Sequence, residues 1–177
     1  MRRLTALQPE QAPARSREIL TEIVERRGSA GEMISTMAHS PALLEGYLAF
    51  SRAMKRVKIP RPLAEKISLA VQEWTGCAMC RQAHERAALE AGLSEQDVKL
   101  ARQGVSTDAR ETALIGVAVR VLAEPASFTD EDVAVLRAHG WSDRIIAEVV
   151  GLVTLNLLTG AFNLLTGIEP QAATPAT

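Results

Sequence analysis

Residues 62–89, PLAEKISLAVQEWTGCAMCRQAHERAAL, decide how this chain folds and which chemistry it carries. Pro62 opens a helix whose apolar positions, Leu63, Ile67, Leu69 and Val71, run towards Trp74. Gly76 interrupts it. Cys77-Ala-Met-Cys80 then begins a further helix that continues through Ala87, Ala88 and Leu89 to Gly92. Nothing here alternates apolar with polar residues, and no Asn-Gly pair marks a hairpin, so the stretch is two helices and not two strands.

The same helical spacing extends in both directions. Upstream, Ile19, Leu20, Ile23 and Val24 form one stripe over Arg15–Arg27, which Gly28 stops. Ser40-Pro41 is a capping hydroxyl followed by proline, and predicts a helix from there to about Val57. Downstream, Ser94-Glu-Gln-Asp97 and Thr129-Asp-Glu-Asp132 each start a short helix with acidic residues in its first turn. Asp108–Ala123 is amphipathic, with Leu114, Val117, Val121 and Leu122 expected to face inward. Ser142-Asp143 starts a long apolar helix that Gly160 is placed to bend. Gly92-Leu-Ser-Glu95 and Gly140-Trp-Ser-Asp143 share a plan, a helix-ending glycine and then a new cap. Common capping chemistry explains the echo, and two related helical halves are the alternative. The fold class is all-α.

Composition agrees. Hydrophobic residues make up 47% but aromatics only 3%, a mix that suits close helix packing better than a β-sandwich. Twenty basic residues against 21 acidic ones leave a net charge of −1, so no strong positive field attracts nucleic acid or anionic lipid. The first twenty residues have no apolar run followed by a small-residue cleavage site, which sets the expectation of a cytoplasmic, reducing compartment. Ile145–Leu165 comes nearest to a membrane segment; Glu148, Asn156, Gly160 and Asn163 interrupt it, and it reads as a buried core helix. Asn156 and Asn163 belong to buried hydrogen bonds or to an oligomer interface.

The chemistry lies in Cys77, Cys80 and His84, which hold both thiols of the chain and one of its three histidines. On a continuous helix these positions share a face. Two thiols plus a base are the minimum equipment for dithiol redox chemistry. Glu73, four residues before Cys77, joins that face if the helix is unbroken, and Glu65 is a second candidate carboxylate for orienting the imidazole. In one straight helix Glu65 would lie about 18 Å from Cys77, so it helps only if the chain turns back near Gly76 or another subunit supplies it. Zinc bound by Cys77, Cys80 and His84 with Glu65 or Glu73 is an alternative, as is an inert pair of core thiols. His39 and His139 read as helix-terminus residues, and Trp74 and Met79 as packing residues.

Glu65, eleven residues, and then Cys77-Ala-Met-Cys80-Arg-Gln-Ala-His84 resembles the signature of the AhpD-like alkylhydroperoxidases of the carboxymuconolactone decarboxylase superfamily. Pro62-Leu-Ala-Glu65, Glu90-Ala-Gly-Leu-Ser94, Phe128-Thr-Asp-Glu-Asp-Val133 and Gly140-Trp-Ser-Asp143 read the same way. The resemblance covers roughly residues 40–167 and is best around 60–95. It implies an AhpD-like helical bundle at 40–168, after an N-terminal helical segment at 1–39 and before a flexible tail at 169–177, in a single domain overall. It also implies a homotrimer or homohexamer that reduces small hydroperoxides with an external dithiol or thiol protein as reductant. Its only redox group is a Cys77–Cys80 disulfide, with no other cofactor and no metal. On this resemblance Cys80 attacks, Cys77 resolves, and His84 with Glu65 relays the proton. The best-known AhpD proteins carry a histidine where this chain has Met79. The helix dipole favours Cys77 as the more acidic thiol, whereas His84, one turn away, favours Cys80. Lactone decarboxylation and a non-catalytic, redox-responsive helical oligomer are the remaining readings.

Overall fold

A computed structural model describes residues 2–170, and among these there is no strand. Nine α-helices account for most of them: α1 (Ala14–Arg27), α2 (Glu32–Met37), α3 (Pro41–Met54), α4 (Arg61–Thr75), α5 (Ala78–Glu90), α6 (Glu95–Arg102), α7 (Ala109–Ala123), α8 (Asp130–Ala138) and α9 (Asp143–Thr166). The described chain forms two compact units, 2–55 with 162–169, and 56–161. The boundary between them falls after Lys55, inside the stretch expected to be one helical core, and 171–177 of the expected tail lie outside the described residues.

In the first unit, α1, α2 and α3 bury Leu20, Met37, Ala38 and Leu44, with Tyr47 and Phe162 packed against them. Ser40 caps α3 as its sequence requires, its hydroxyl accepting the Leu43 N–H. The short α2 is too brief to show a helical period and was not anticipated from the sequence.

The second unit is built on α4. Its residues 66–72 are all buried, and it packs against α5, α6 and α7. Leu63, Ile67 and Leu69 are essentially inaccessible, and each contributes about 2 kcal/mol of apolar transfer. Leu69 meets Ala88 of α5 and Ala101 of α6, small residues that let the three helices approach closely. Reciprocal capping boxes start α6 (Ser94 with Asp97) and α8 (Thr129 with Asp132). Leu114 of α7 is buried, but Ile115 and Ala118 complete its inner face, while Val117, Val121 and Leu122 are half-buried. Gly92 and Gly140 both end helices immediately before the caps of α6 and α9, as common capping chemistry requires.

The expectation of a buried core helix at Ile145–Leu165 needs correction. By length and composition α9 is apolar enough to cross a membrane, yet only 28% of its most apolar window is buried. Val149, Leu152, Val153, Asn156 and Gly160 face inward, while Ala147, Val150, Thr154 and Leu157 are exposed. Of the two roles open to Asn156, the structure shows buried hydrogen bonding: its Nδ2 donates to the Ser68 hydroxyl at 3.0 Å, and Gln72 Nε2 donates to its carbonyl and Oδ1 at 2.9 and 3.0 Å. Gly160 lies against that amide, since a Cβ there would meet Gln72 Oε1 at 2.7 Å.

Candidate active site

The site is made by a break in the chain. Gly76 adopts φ 78°, a conformation that L side chains rarely take, and its N–H closes α4 on the carbonyls of Gln72 and Glu73. Cys77 follows as the N-cap of α5, its N–H still bonded to the Gln72 carbonyl at 3.2 Å and its sulfur accepting the Cys80 N–H at 3.3 Å. Helix α5 then packs alongside α4 instead of extending it. Of the two conditions under which Glu65 reaches the thiols' helix, the reversal near Gly76 is the one met.

Its consequence is a contact that a straight helix forbids. Glu65 Oε2 lies 2.8 Å from His84 Nδ1 across the α4–α5 interface. Both side chains are mostly sheltered, at 17% and 28% exposure. A carboxylate at one ring nitrogen holds the imidazole in place, fixes the proton on Nδ1 and leaves Nε2 as the working atom. His84 is four residues after Cys80 on α5, hence on the same side of the helix.

Cys77 and Cys80 are joined in a disulfide, with Cα atoms 5.3 Å apart. Cys80 is 6% exposed and Cys77 only 1%. Because α5 begins at Ala78, both sulfurs lie in its first turn, where the positive end of the helix stabilises thiolates. The dipole therefore separates the two thiols only weakly, although the N-cap bond still favours Cys77.

Glu73 does not join this group, because the unbroken helix it needed does not exist. It bonds Arg102 of α6 at 2.8 Å and lies 3.5 Å from Arg81 of α5, the residue after Cys80, tying the thiol-bearing turn to both neighbours. Arg102 also reaches Glu85 at 3.2 Å. None of these partners was foreseen; their only signal is the helical spacing of Arg81 and Glu85. Among the described residues no group of three or more His, Cys, Asp or Glu side chains is arranged to hold a metal ion. His39 Nε2 lies 2.9 Å from the Thr5 carbonyl, and His139 is the C-cap of α8, so both are terminus residues as expected. Trp74 was expected to pack, but it is 53% exposed; Met79 is half-buried.

Residues 41–124, which carry α3 to α7 and every residue of this site, match the sequence model of the carboxymuconolactone decarboxylase family. Over these residues, just under half of the chain, it is similar to that family. Solved structures extend the likeness to nearly the whole chain. The alkylhydroperoxidase AhpD core protein of Ralstonia eutropha, itself an uncharacterized peroxidase-related protein, is 18% identical with a TM-score of 0.80, over 96% of this chain and 92% of that one. A peroxidase-related protein from Silicibacter is 20% identical with a TM-score of 0.77, over 95% and 92%. The debrominase Bmp8 is 20% identical with a TM-score of 0.75, over 96% and 92%, and a cysteine-to-alanine variant of it has been solved with 2,3,4-tribromopyrrole. At these identities the likeness establishes the AhpD-like all-α fold. No curated protein sequence matches the chain.

Proposed function

We propose that this protein is a thiol-dependent hydroperoxide reductase. The observation that carries the reading is the Cys77–Cys80 pair one helical turn from an imidazole held by Glu65 at 2.8 Å. In the reduced protein, His84 removes the Cys80 proton and the thiolate attacks the terminal oxygen of ROOH. The O–O bond breaks, ROH leaves with the proton that His84 returns, and Cys80 becomes a sulfenic acid. The Cys77 thiolate attacks that sulfur, releasing water and forming the disulfide. An external dithiol or thiol protein then reduces it, becoming a disulfide itself. Cys80 is assigned the attack on its greater exposure and on the shared face with His84, against the N-cap bond that favours Cys77. A disulfide formed and reduced in each turnover suits a reducing, cytoplasmic setting, and we place the working protein there as a homotrimer or homohexamer.

One neighbour favours a second substrate for the same dithiol. Bmp8 is a debrominase, and two thiols supply the two electrons and two protons that convert a carbon–bromine bond to carbon–hydrogen and HBr. Lactone decarboxylation, the reaction in the family name, needs no thiol pair.

The test is thiol counting by mass spectrometry on reduced protein, before and after stoichiometric cumene hydroperoxide. The wild type should form the Cys77–Cys80 disulfide, Cys77→Ser should trap a sulfenic acid, and Cys80→Ser should show no fast reaction. Thiols that stay reduced at concentrations where ordinary thiols also survive would sink the reading; a brominated pyrrole in a parallel sample tests the second.

A further inference from the structure

A groove of about 860 Å³ opens on the face of α4 opposite Glu65, and neither cysteine nor His84 lines it. Trp74 and Ala70 of α4 form one wall, Ala113, Gly116 and Val117 of α7 the floor, and Leu136 of α8 contributes beyond them. The volume lies within the usual range for small-molecule sites, roughly 300–1,000 Å³.

Three features describe what would fill it. Trp74 leaves 53% of its surface open, a large flat apolar face that nothing among the described residues covers fully. Gly116 sits in the middle of α7, where glycine is the least favourable ordinary residue after proline, and a Cβ there would meet nothing within 4 Å. No neighbouring helix among the described residues requires it. Its effect is to leave bare backbone on the floor and deepen the groove beside the indole. Most charges on the rim are matched, Arg102 with Glu73 and Glu85, and Arg120 with Asp132 at 2.6 Å, and the exposed Glu131 of α8 is the exception. An occupant therefore meets mainly apolar surface and paired polar edges; both arginines are already neutralised, and the one unpaired group, Glu131, disfavours an anion.

We propose that this groove is a binding site for a neutral, planar, largely apolar organic molecule that stacks on Trp74 and rests over Gly116. Trp74 precedes Cys77 by three residues, and Glu73 links the groove's Arg102 to Arg81 beside Cys80. The occupant thus lies on the same turn of chain that carries the thiols. The inference does not depend on what the thiols reduce.

The experiment titrates full-length oxidised protein with N-phenyl-1-naphthylamine, an uncharged fluorophore, and follows probe emission together with tryptophan quenching. Trp141, the other tryptophan, is buried with its N–H bonded to the Arg110 carbonyl, so most of the quenching should come from Trp74. Saturable one-to-one binding is expected in the wild type. It should weaken at least tenfold in Gly116→Leu, which fills the floor, and about tenfold in Trp74→Ser, an exposed position that leaves the core untouched. Thermal melts and light scattering accompany each variant. Absence of saturable binding in the wild type, or wild-type affinity in Trp74→Ser, overturns the proposal. So does an oligomer that Gly116→Leu dissociates while probe affinity stays unchanged, because a second copy would then be the occupant. No peroxide is present, so failure here leaves the hydroperoxide reading intact.

Discussion

Two glycines in helix interiors should respond oppositely to the same substitution. Gly→Ala within a helix gains about 1 kcal/mol from backbone propensity alone. At Gly116 of α7 the new methyl meets nothing within 4 Å, so that gain should appear unopposed. At Gly160 of α9 it would lie 2.7 Å from Gln72 Oε1 and 3.6 Å from both Cδ and Nε2. Gln72 is fully buried and is held by its two bonds to Asn156, so its amide cannot swing away freely. Overpacking of a tight core costs about 1–3 kcal/mol, and each neutral hydrogen bond broken adds about 1 kcal/mol. After the propensity gain, Gly160→Ala should be destabilised by about 1–4 kcal/mol. For a chain of this length about 1 kcal/mol moves Tm by 2–4 °C, so Gly116→Ala should rise by that amount while Gly160→Ala falls by roughly 2–16 °C. Calorimetry and urea unfolding measure both. A double variant with Gln72→Ala identifies the cause, because the extra cost of Gly160→Ala should vanish once the amide is gone. Two shifts of the same sign, or a cost at Gly160 that survives removal of Gln72, would refute the reasoning.

Four further outcomes are expected. Glu65→Gln should keep the thiol count unchanged yet slow hydroperoxide consumption by about tenfold to a hundredfold, within the span of general acid–base contributions, and a stopped-flow rate equal to wild type would remove Glu65 from the relay. Gly76→Ala should be more destabilising than Gly76→Asn in thermal melts, because φ 78° strains alanine by about 1–2 kcal/mol while asparagine visits that region more readily. Lys66→Met should cost about 3 kcal/mol by leaving Glu111, 2.7 Å away, without its ammonium, and Glu111→Leu in the same chain should recover most of that in urea unfolding. The Arg120 guanidinium, followed by the Thr129 backbone and hydroxyl, holds the Asp132 carboxyl well below the usual carboxylate range. Its stabilising effect is therefore complete above about pH 4 and is lost as pH falls further, so Asp132→Asn should flatten the acid limb of Tm against pH below about pH 4.

Much of the fold was legible because helix ends advertise themselves. Ser40, Ser94 and Thr129 sit where a side-chain oxygen must satisfy a free N–H, and each does so. What failed was the assignment of faces. Val117, Val121 and Leu122 of α7 are as apolar as Ile115, yet the interior took Ile115 and Ala118. Trp74 and the outer face of α9 failed in the same way. Hydropathy says that a residue tolerates burial; it does not say that a neighbour exists to bury it. The segment containing α2 had neither the length nor the spacing to show a period.

The candidate site was half legible for a related reason. Cys77, Cys80 and His84 are close in sequence, so local geometry places them together. Glu65 is twelve residues before Cys77 and on another helix, and its partnership with His84 depends on one backbone torsion at Gly76. Glu73, nearer in sequence, looked better on a straight helix and is worse on the real one. The same torsion that removes Glu73 delivers Glu65, and it also moves Cys77 from a helical position to the cap, where its sulfur accepts a backbone N–H. Three changes thus follow from a single left-handed residue. A substitution at Gly76 therefore acts on the carboxylate, the thiol pair and the α4–α5 packing together, and its effect on reactivity is not divisible among them. Glu65→Gln and the two cysteine variants, which leave the reversal in place, are the changes that separate chemistry from scaffold.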